Sequence, residues 1–241
     1  MKALLLAAGL GTRLRPITNV TPKCLVEING RPLLDYWLEL LSKGSINEVI
    51  INTHHLADVV STYLEHRHSK IPVHQVYEKK LLGTAGTLLK NKVFYQDEPV
   101  LLIHADNLSL FSLQKFIDAF INRPKKIEIT MMTFTTDAPE NCGIVELNHD
   151  GIVHNFYEKS LENHGCIANG AVYIVSPTVL NFIESLKKTE VDFSTEIIPK
   201  FLGKINTFHN DIYHRDIGSP ASLELARSDF PPLIKNLHLI E

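Results

Sequence analysis

The chain has 241 residues, 44% of them hydrophobic and 21% charged, with a formal net charge of −3. That length suits one large or two small globular domains, and the slight acidic excess excludes the basic footprint of a nucleic-acid binder. No apolar run approaches the ~18 residues that a membrane span needs.

Met1-Lys2 leads directly into an apolar run too short for a signal peptide, so none is expected. Cys24, Cys142 and Cys166 are scattered without C-x-x-C spacing. That pattern fits reduced thiols in the cytoplasm and argues against a zinc site.

Residues 3–7 (ALLLA) have the pattern of a short buried strand. Gly9-Leu10-Gly11-Thr12-Arg13 follows at once. Glycines after a buried strand let the backbone turn sharply and aim N–H groups at a ligand. Arg13, Arg15 and Lys23 add three cations, and no acid occurs before Glu27. Pro16 and Pro22 keep the stretch from being a helix. The loop is a polyphosphate cradle in outline. It is not a P-loop, because Lys23 follows Pro22 and not Gly. It is not a dinucleotide fingerprint either, because Leu14 stands where the third Gly or Ala belongs.

Residues 27–30 read as a short strand and turn. A helix is expected over 32–43, with Pro32 near its first turn and Gly44 beyond its end. Leu33, Leu34, Trp37, Leu40 and Leu41 form its buried stripe, with Trp37 as a core residue. Strands are expected over 47–52, 73–76 and 99–104, and helices over 56–66 and 112–121. His54 and His55 fall in a loop. Alternating apolar strands and helices imply a mostly parallel sheet covered on both faces. Ligands in such sheets bind at the carboxyl ends of the strands, which points to 8–13, 78–86 and 105–108. Within the second of these, Thr84 is placed to cap the helix that follows.

The pattern changes after Lys126. Residues 127–135 read as a long strand, and 143–147 and 152–157 as two strands around the turn Asn148-His149-Asp150-Gly151. Residues 167–175 form another strand, a helix opens at Ser176-Pro177, and 192–196 look like a structural helix N-terminus. No linker of Gly, Ser or Pro separates the halves, so one domain over 1–241 is expected, with a second half that is mixed and more antiparallel.

The run Gly9-Leu10-Gly11-Thr12-Arg13-Leu14-Arg15-Pro16-Ile17-Thr18, followed by Pro22-Lys23, resembles the signature of the sugar-nucleotidyltransferases, the nucleoside-diphosphate-sugar pyrophosphorylases. Their form is a strand, then G-x-G-T-R-[LM]-x-P-x-T, then P-K. Later segments extend the likeness to about Ala226. His104-Ala105-Asp106 resembles the family's G-D, with Ala105 for Gly. Arg215-Asp216-Ile217-Gly218-Ser219-Pro220 resembles D-I-G-T-P, with Ser219 for Thr. Cys142-Gly143-Ile144-Val145 resembles Y-G-[VI]-[VI], with Cys for Tyr. Glu158-Lys159 resembles the E-K pair, and Asn169-Gly170-Ala171-Val172-Tyr173 resembles N-[AG]-G-[IV]-Y.

The resemblance implies an α/β fold: a Rossmann-like, mostly parallel central sheet flanked by helices, with a mixed or antiparallel sugar-binding half, as in GT-A-like nucleotidyltransferases. Residues 1–126 would be mainly the nucleotide-binding half and 127–241 mainly the sugar-binding half. Some members add a left-handed β-helix domain; hexapeptide repeats are missing here, so a minimal catalytic core is expected. The implied reaction joins a nucleoside triphosphate and a sugar 1-phosphate into an NDP-sugar and pyrophosphate. Catalysis would rest on positioning and charge neutralisation.

The carried-over roles give Asp106 and Asp216 to Mg²⁺, Arg13 to the leaving β- and γ-phosphates, and Lys23 to the α-phosphate. Ala7, Ala8, Gly9, Gly11 and Thr12 would contact the nucleotide, with Glu78, Gly83 and Thr84 near the base. Gly143, Glu158, Lys159 and Asn169 would contact the sugar phosphate. Arg215, beside Asp216, is read as one half of an ion pair and not as a catalyst. The form Leu82-Gly83-Thr84-Ala85-Gly86 resembles the guanylyltransferases more than the thymidylyl or uridylyl members. Guanine offers N1–H and N2–H₂ donors that a carboxylate such as Glu78 can accept. GTP with mannose 1-phosphate, or with a manno-configured heptose 1-phosphate, is the favoured substrate pair. Uridylyl or thymidylyl transfer to another hexose 1-phosphate is the close alternative. An inactive regulatory homologue would be expected to lack Lys23, Asp106 or Asp216, and all three are present.

Overall fold

Strand β1 (Lys2–Leu6) runs through the middle of the computed structural model, which describes residues 1–237. Its side chains alternate between two cores, as the period of two requires. Ala3 and Leu5 join one buried cluster and Leu4 the other. After it come the ribbon strands β2 (Glu27–Ile28) and β3 (Arg31–Pro32), then helix α1 (Leu33–Ser42). Next are β4 (Val49–Thr53), α2 (Ala57–His66), β5 (Val73–Tyr77), α3 (Gly83–Lys90) and α4 (Lys92–Tyr95). Strand β6 (Val100–His104) leads into β7 (Asn107–Leu110) and α5 (Leu113–Ile121). The second half holds β8 (Ile129–Thr135), β9 (Gly143–Leu147), β10 (Val153–Glu158), β11 (Ile167–Val175) and α6 (Pro177–Ser185). It ends with β12 (Ile205–His209), β13 (Tyr213–Asp216) and α7 (Pro220–Leu237).

The main sheet runs β10-β9-β11-β6-β1-β4-β5, with β8 pairing β11 and β12. From β6 to β5 every pair is parallel, while β11 pairs antiparallel with β6, β8 and β9. Helices α1, α2 and α5 cover one face through Trp37, Val60 and Phe116. Helices α3, α4 and α6 cover the other through Leu88, Tyr95 and Leu180. Trp37 is core, as expected: it is buried, and its indole N–H donates to the Asn107 carbonyl at 2.8 Å. A third cluster joins Leu14, Val26, Ile28 and Leu33 to Leu108, Ile217, Leu223 and Phe230. It seats the N-terminal loop and α7 against the β7–β13 ribbon.

Each expected strand and helix up to α6 is found within a few residues of its predicted place. Residues 107–110, 205–209 and 213–216 form strands that the pattern does not announce, because each is short and carries polar residues on a sheet edge or ribbon. Helix α7 was also not foreseen. It forms although Pro231 and Pro232 lie inside it, with Leu223, Ala226 and Phe230 buried along its inner face.

Candidate active site

The parallel strands end on one side of the sheet, and the glycine loop grows from the end of β1. The Ala7 N–H donates to Asn52 Oδ1 at 2.8 Å, fixing the loop's first residue to the end of β4. Gly11 has φ +62°, and a Cβ there would stand 2.8 Å from Thr18 Cγ2. The Thr18 hydroxyl donates to the Gly11 carbonyl at 2.7 Å, and His55 Nε2 meets the Thr18 carbonyl at 3.0 Å. The stretch is no α-helix, in line with Pro16 and Pro22, but it holds three single 3₁₀ turns at Thr12–Leu14, Ile17–Asn19 and Lys23–Leu25. Leu14 is buried while Arg13 projects into the open, 69% exposed.

The last of these turns sends Lys23 inward, where its side chain is only 10% exposed. Its ammonium donates to Asp106, and to Asp216 Oδ1 at 3.3 Å. The two acids are brought together by the ribbon of β7 and β13, in which Asp216 stands opposite Asn107 and the Ile217 N–H donates to the Asp106 carbonyl at 3.1 Å. Arg13 Nη2 closes the cluster 3.7 Å from Asp216 Oδ2. Burial pulls the Lys23 ammonium downward, but Asp106 and Asp216 outweigh it and hold its pKa above the ordinary value. Burial pushes Asp106 up, and the facing Lys23 more than cancels that, so the carboxyl stays ionised.

Two converging carboxylates fit Mg²⁺, which is held by one or two carboxylates together with substrate phosphates and water. No group of three or more His, Cys, Asp or Glu side chains suited to a metal exists among the described residues. Such an ion would complete its shell with water and substrate phosphates.

Two cavities meet at Asp106. The first, of about 200 Å³, is lined by Ala8, Gly9, Asn52, Glu78, Gly83 and Thr87 among others. Glu78 is 1% exposed. Its Oε1 accepts from the Thr87 hydroxyl at 2.6 Å, while Oε2 is buried without a partner among the described residues. A buried carboxylate oxygen left unpaired is costly unless a ligand donor completes it. His104, at the end of β6, borders both cavities. Burial lowers its pKa, and its Nε2 is also buried and unpartnered among the described residues.

The second cavity, of about 210 Å³, is lined by Gly143, Glu158, Lys159, Asn169, Ser194 and Asp216 among others. Neighbours on a strand point to opposite faces, yet Glu158 and Lys159 share this cavity. The reason is local: β10 ends at Glu158, and Lys159 turns into the left-handed region at φ +49°. Gly143 makes room for Glu158, since a Cβ there would stand 2.9 Å from Glu158 Oε2 and 2.5 Å from Phe156 Cζ. Asn169 donates to the Tyr173 hydroxyl at 2.7 Å and accepts from the Ala171 N–H at 3.0 Å, at a break in the β8–β11 register.

The family model for nucleotidyl transferases matches residues 2–231. The chain belongs to the nucleotidyl transferase family. Among relatives of this nucleotidyl transferase, it is 32% identical to a D-glycero-alpha-D-manno-heptose 1-phosphate guanylyltransferase of Aneurinibacillus thermoaerophilus, over 95% of this chain and 98% of that one. It is 29% identical to a mannose-1-phosphate guanyltransferase of Debaryomyces hansenii, over 91% of this chain but 62% of the relative. It thus spans about three fifths of the length of the mannose-1-phosphate relatives it matches. Among solved structures, HddC from Yersinia pseudotuberculosis superposes with a TM-score of 0.80 at 26% identity, covering 95% of this chain and 99% of that one. A putative glucose-1-phosphate thymidylyltransferase from Bacillus anthracis, at TM-score 0.83 and 24% identity, covers 95% and 94% and shares the fold.

The nucleotidyl transferase brings most of the expected residues to one place. Ala8, Gly9, Glu78, Gly83 and Thr84 line the first cavity, and Gly143, Glu158, Lys159 and Asn169 the second, with Arg13 on its rim. Ala7, Gly11 and Thr12 shape the loop without lining either cavity.

Two expectations are corrected. Thr84 does not cap α3, which starts one residue earlier and follows Leu82. The N–H groups of Ala85 and Gly86 donate to the Val191 carbonyl, and the Thr84 hydroxyl instead accepts from the Phe193 N–H at 2.7 Å. Arg215 does form an ion pair, but with Asp229 at 3.2 Å and not with the adjacent Asp216. Asn52, Thr87, His104 and Ser194 were missed as cavity residues. Asn52, Thr87 and Ser194 lie outside the family motifs quoted above, and His104 opens one of them without a role of its own; only strand-end position could have marked Asn52 and His104.

Proposed function

We propose that this chain is a sugar-1-phosphate guanylyltransferase, converting GTP and a manno-configured sugar 1-phosphate to a GDP-sugar and pyrophosphate. The observation that carries this reading is the Lys23–Asp106–Asp216 cluster at the junction of two cavities, one of which holds the buried, half-satisfied Glu78. The names of the relatives at 29–32% identity support the same reading.

A phosphate oxygen of the sugar 1-phosphate attacks the α-phosphorus in line. A new P–O bond forms as the bond from the α-phosphorus to the bridging oxygen breaks, and pyrophosphate departs with that electron pair. No protein nucleophile is required. Lys23 bonds Asp106, which borders both cavities, and from there neutralises charge developing on the α-phosphoryl oxygens. Arg13 meets the leaving β- and γ-phosphates. Lys159 holds the attacking phosphate, and Glu158 and Asn169 orient the sugar. Glu78 Oε2 accepts from the guanine edge. Mg²⁺, held by Asp106 and Asp216, would add further neutralisation of phosphate charge. The free cysteines support a reducing, cytoplasmic setting. No described helix is long and apolar enough to cross a membrane.

The test is pyrophosphate release across a grid of nucleoside triphosphates and sugar 1-phosphates, with Mg²⁺ and with a chelator. The expected result is turnover with GTP and a manno-configured acceptor, lost on chelation. Turnover confined to UTP or dTTP would overturn the role given to Glu78 while keeping the transfer chemistry.

A further inference from the structure

We infer that Asn52 and Thr87 set the base specificity of this chain as positioning residues. They carry a one-way chain of hydrogen bonds from the glycine loop to Glu78, and that chain leaves one carboxylate oxygen free for the base. The inference rests on the role given to Glu78 above.

The direction of the chain follows from its first donor. A backbone N–H can only donate, so the Ala7 N–H, 2.8 Å from Asn52, takes the amide oxygen. Asn52 must then turn its NH₂ the other way, and Nδ2 donates to the Thr87 hydroxyl oxygen at 3.4 Å. A threonine inside a helix can bond back to the carbonyl four residues earlier. The Thr87 hydroxyl has one proton, however, and it goes to Glu78 Oε1 at 2.6 Å. All three side chains are buried, Asn52 with 3% and Thr87 and Glu78 with 1% of their surface exposed. Bulk water therefore does not stand in for a missing link.

The Glu78 main chain is held from both sides. Its N–H donates to the Thr53 carbonyl at 2.8 Å, and its carbonyl accepts from His54 Nδ1 at 2.7 Å. What remains is rotation of the carboxylate, and Thr87 opposes it. Oε2, buried and unpartnered among the described residues, is left to accept from a base donor. Asn52 and Thr87 line the same cavity as Glu78. The Asn52 amide has its oxygen and its nitrogen engaged inside the protein, so its effect on the base passes through Thr87.

The experiment compares kcat/KM for GTP and ATP, with the sugar 1-phosphate that turns over fastest in the grid above held at saturation. Adenine turns the acceptor N1 toward the edge where guanine carries N1–H, so the wild type should prefer GTP. Both nucleotides carry the same triphosphate, so damage to the glycine loop cancels from the ratio. Thr87→Val keeps the volume and loses the donor. It should lower the preference roughly 10- to 100-fold, through the KM for GTP and not the KM for the sugar 1-phosphate. Thr87→Ser restores the donor and should return most of the ratio. Asn52→Leu removes the preceding link and should lower the ratio although Thr87 is intact. The double variant should lose little more than Thr87→Val alone, because links in series do not add. Thermal melts identify the folded variants, and if Thr87→Val does not fold, Asn52→Leu decides alone. An unchanged ratio in either single variant overturns the proposal, as do losses that multiply in the double variant. A wild type that uses ATP as well as GTP, or neither, would instead sink the guanylyl reading, and the proposal with it.

Discussion

Lys23 Nζ stands 3.3 Å from Asp216 Oδ1, across 193 positions of sequence, and the same ammonium bonds Asp106. One cation therefore holds two carboxylates together in a place where its side chain is nearly inaccessible. In Lys23→Met, those carboxylates face each other with no intervening charge. Turnover is expected to fall on the order of 10²–10³-fold, as when one preorganised charge-stabilising donor is removed. The melting temperature should fall too, because breaking a buried pair strands its partners. Mg²⁺ should raise the melting temperature of the variant more than that of the wild type. Near-normal turnover in Lys23→Met would remove this residue from the chemistry.

Glu78→Gln keeps the size of the side chain and replaces an acceptor with an amide that can turn its NH₂ toward the ligand. A hydrogen bond to a charged group contributes ~1.5–3 kcal/mol. The KM for GTP is therefore expected to rise by roughly 10- to 100-fold, with a smaller change in kcat, measured at saturating acceptor. An unchanged KM would show that the base is read elsewhere.

Gly83 combines φ +71° with a neighbour that cannot move: an added Cβ would stand 2.5 Å from the Val191 carbonyl oxygen. That carbonyl is also the acceptor for the first N–H groups of α3. Gly83→Ala is expected to destabilise the fold by ~1–3 kcal/mol, read as a lower melting temperature. A melt that superposes on the wild type would mean that this junction gives way without cost.

Burial pushes the Cys24 thiol up to about 12, so it stays protonated near neutrality. Cys166 is exposed and Cys142 half-buried. Alkylation followed by mass spectrometry should modify Cys166 first and leave Cys24 untouched until denaturant is added. Early modification of Cys24 in the folded protein would contradict the packing around α1.

The N-terminal loop was legible because its information is local: a strand, glycines, prolines and cations in one run. The parallel half of the sheet was legible for a similar reason, since buried strands and amphipathic helices each carry their own period. What could not be read depends on partners far away in the chain. Thr84 has the residue type of a helix cap, yet Val191 reaches across and supplies the acceptor, a tertiary contact that overrides the local preference. Glu158 and Lys159 look like the two faces of a strand until the left-handed turn at Lys159 is seen. The strand character of 107–110 exists only because 213–216 returns to pair with it.

That ribbon also sets an order of events. β13 pairs with β7 across about a hundred residues, and such distant closure costs chain entropy before it is rewarded. A chain emerging from the ribosome can form β1, β4, β5 and β6, and with them most of the base cavity, while Asp216 is still unmade. Nucleotide recognition would then come before the means to use it. A nick in the segment between His209 and Tyr213 should leave a protein that still binds GTP and releases no pyrophosphate.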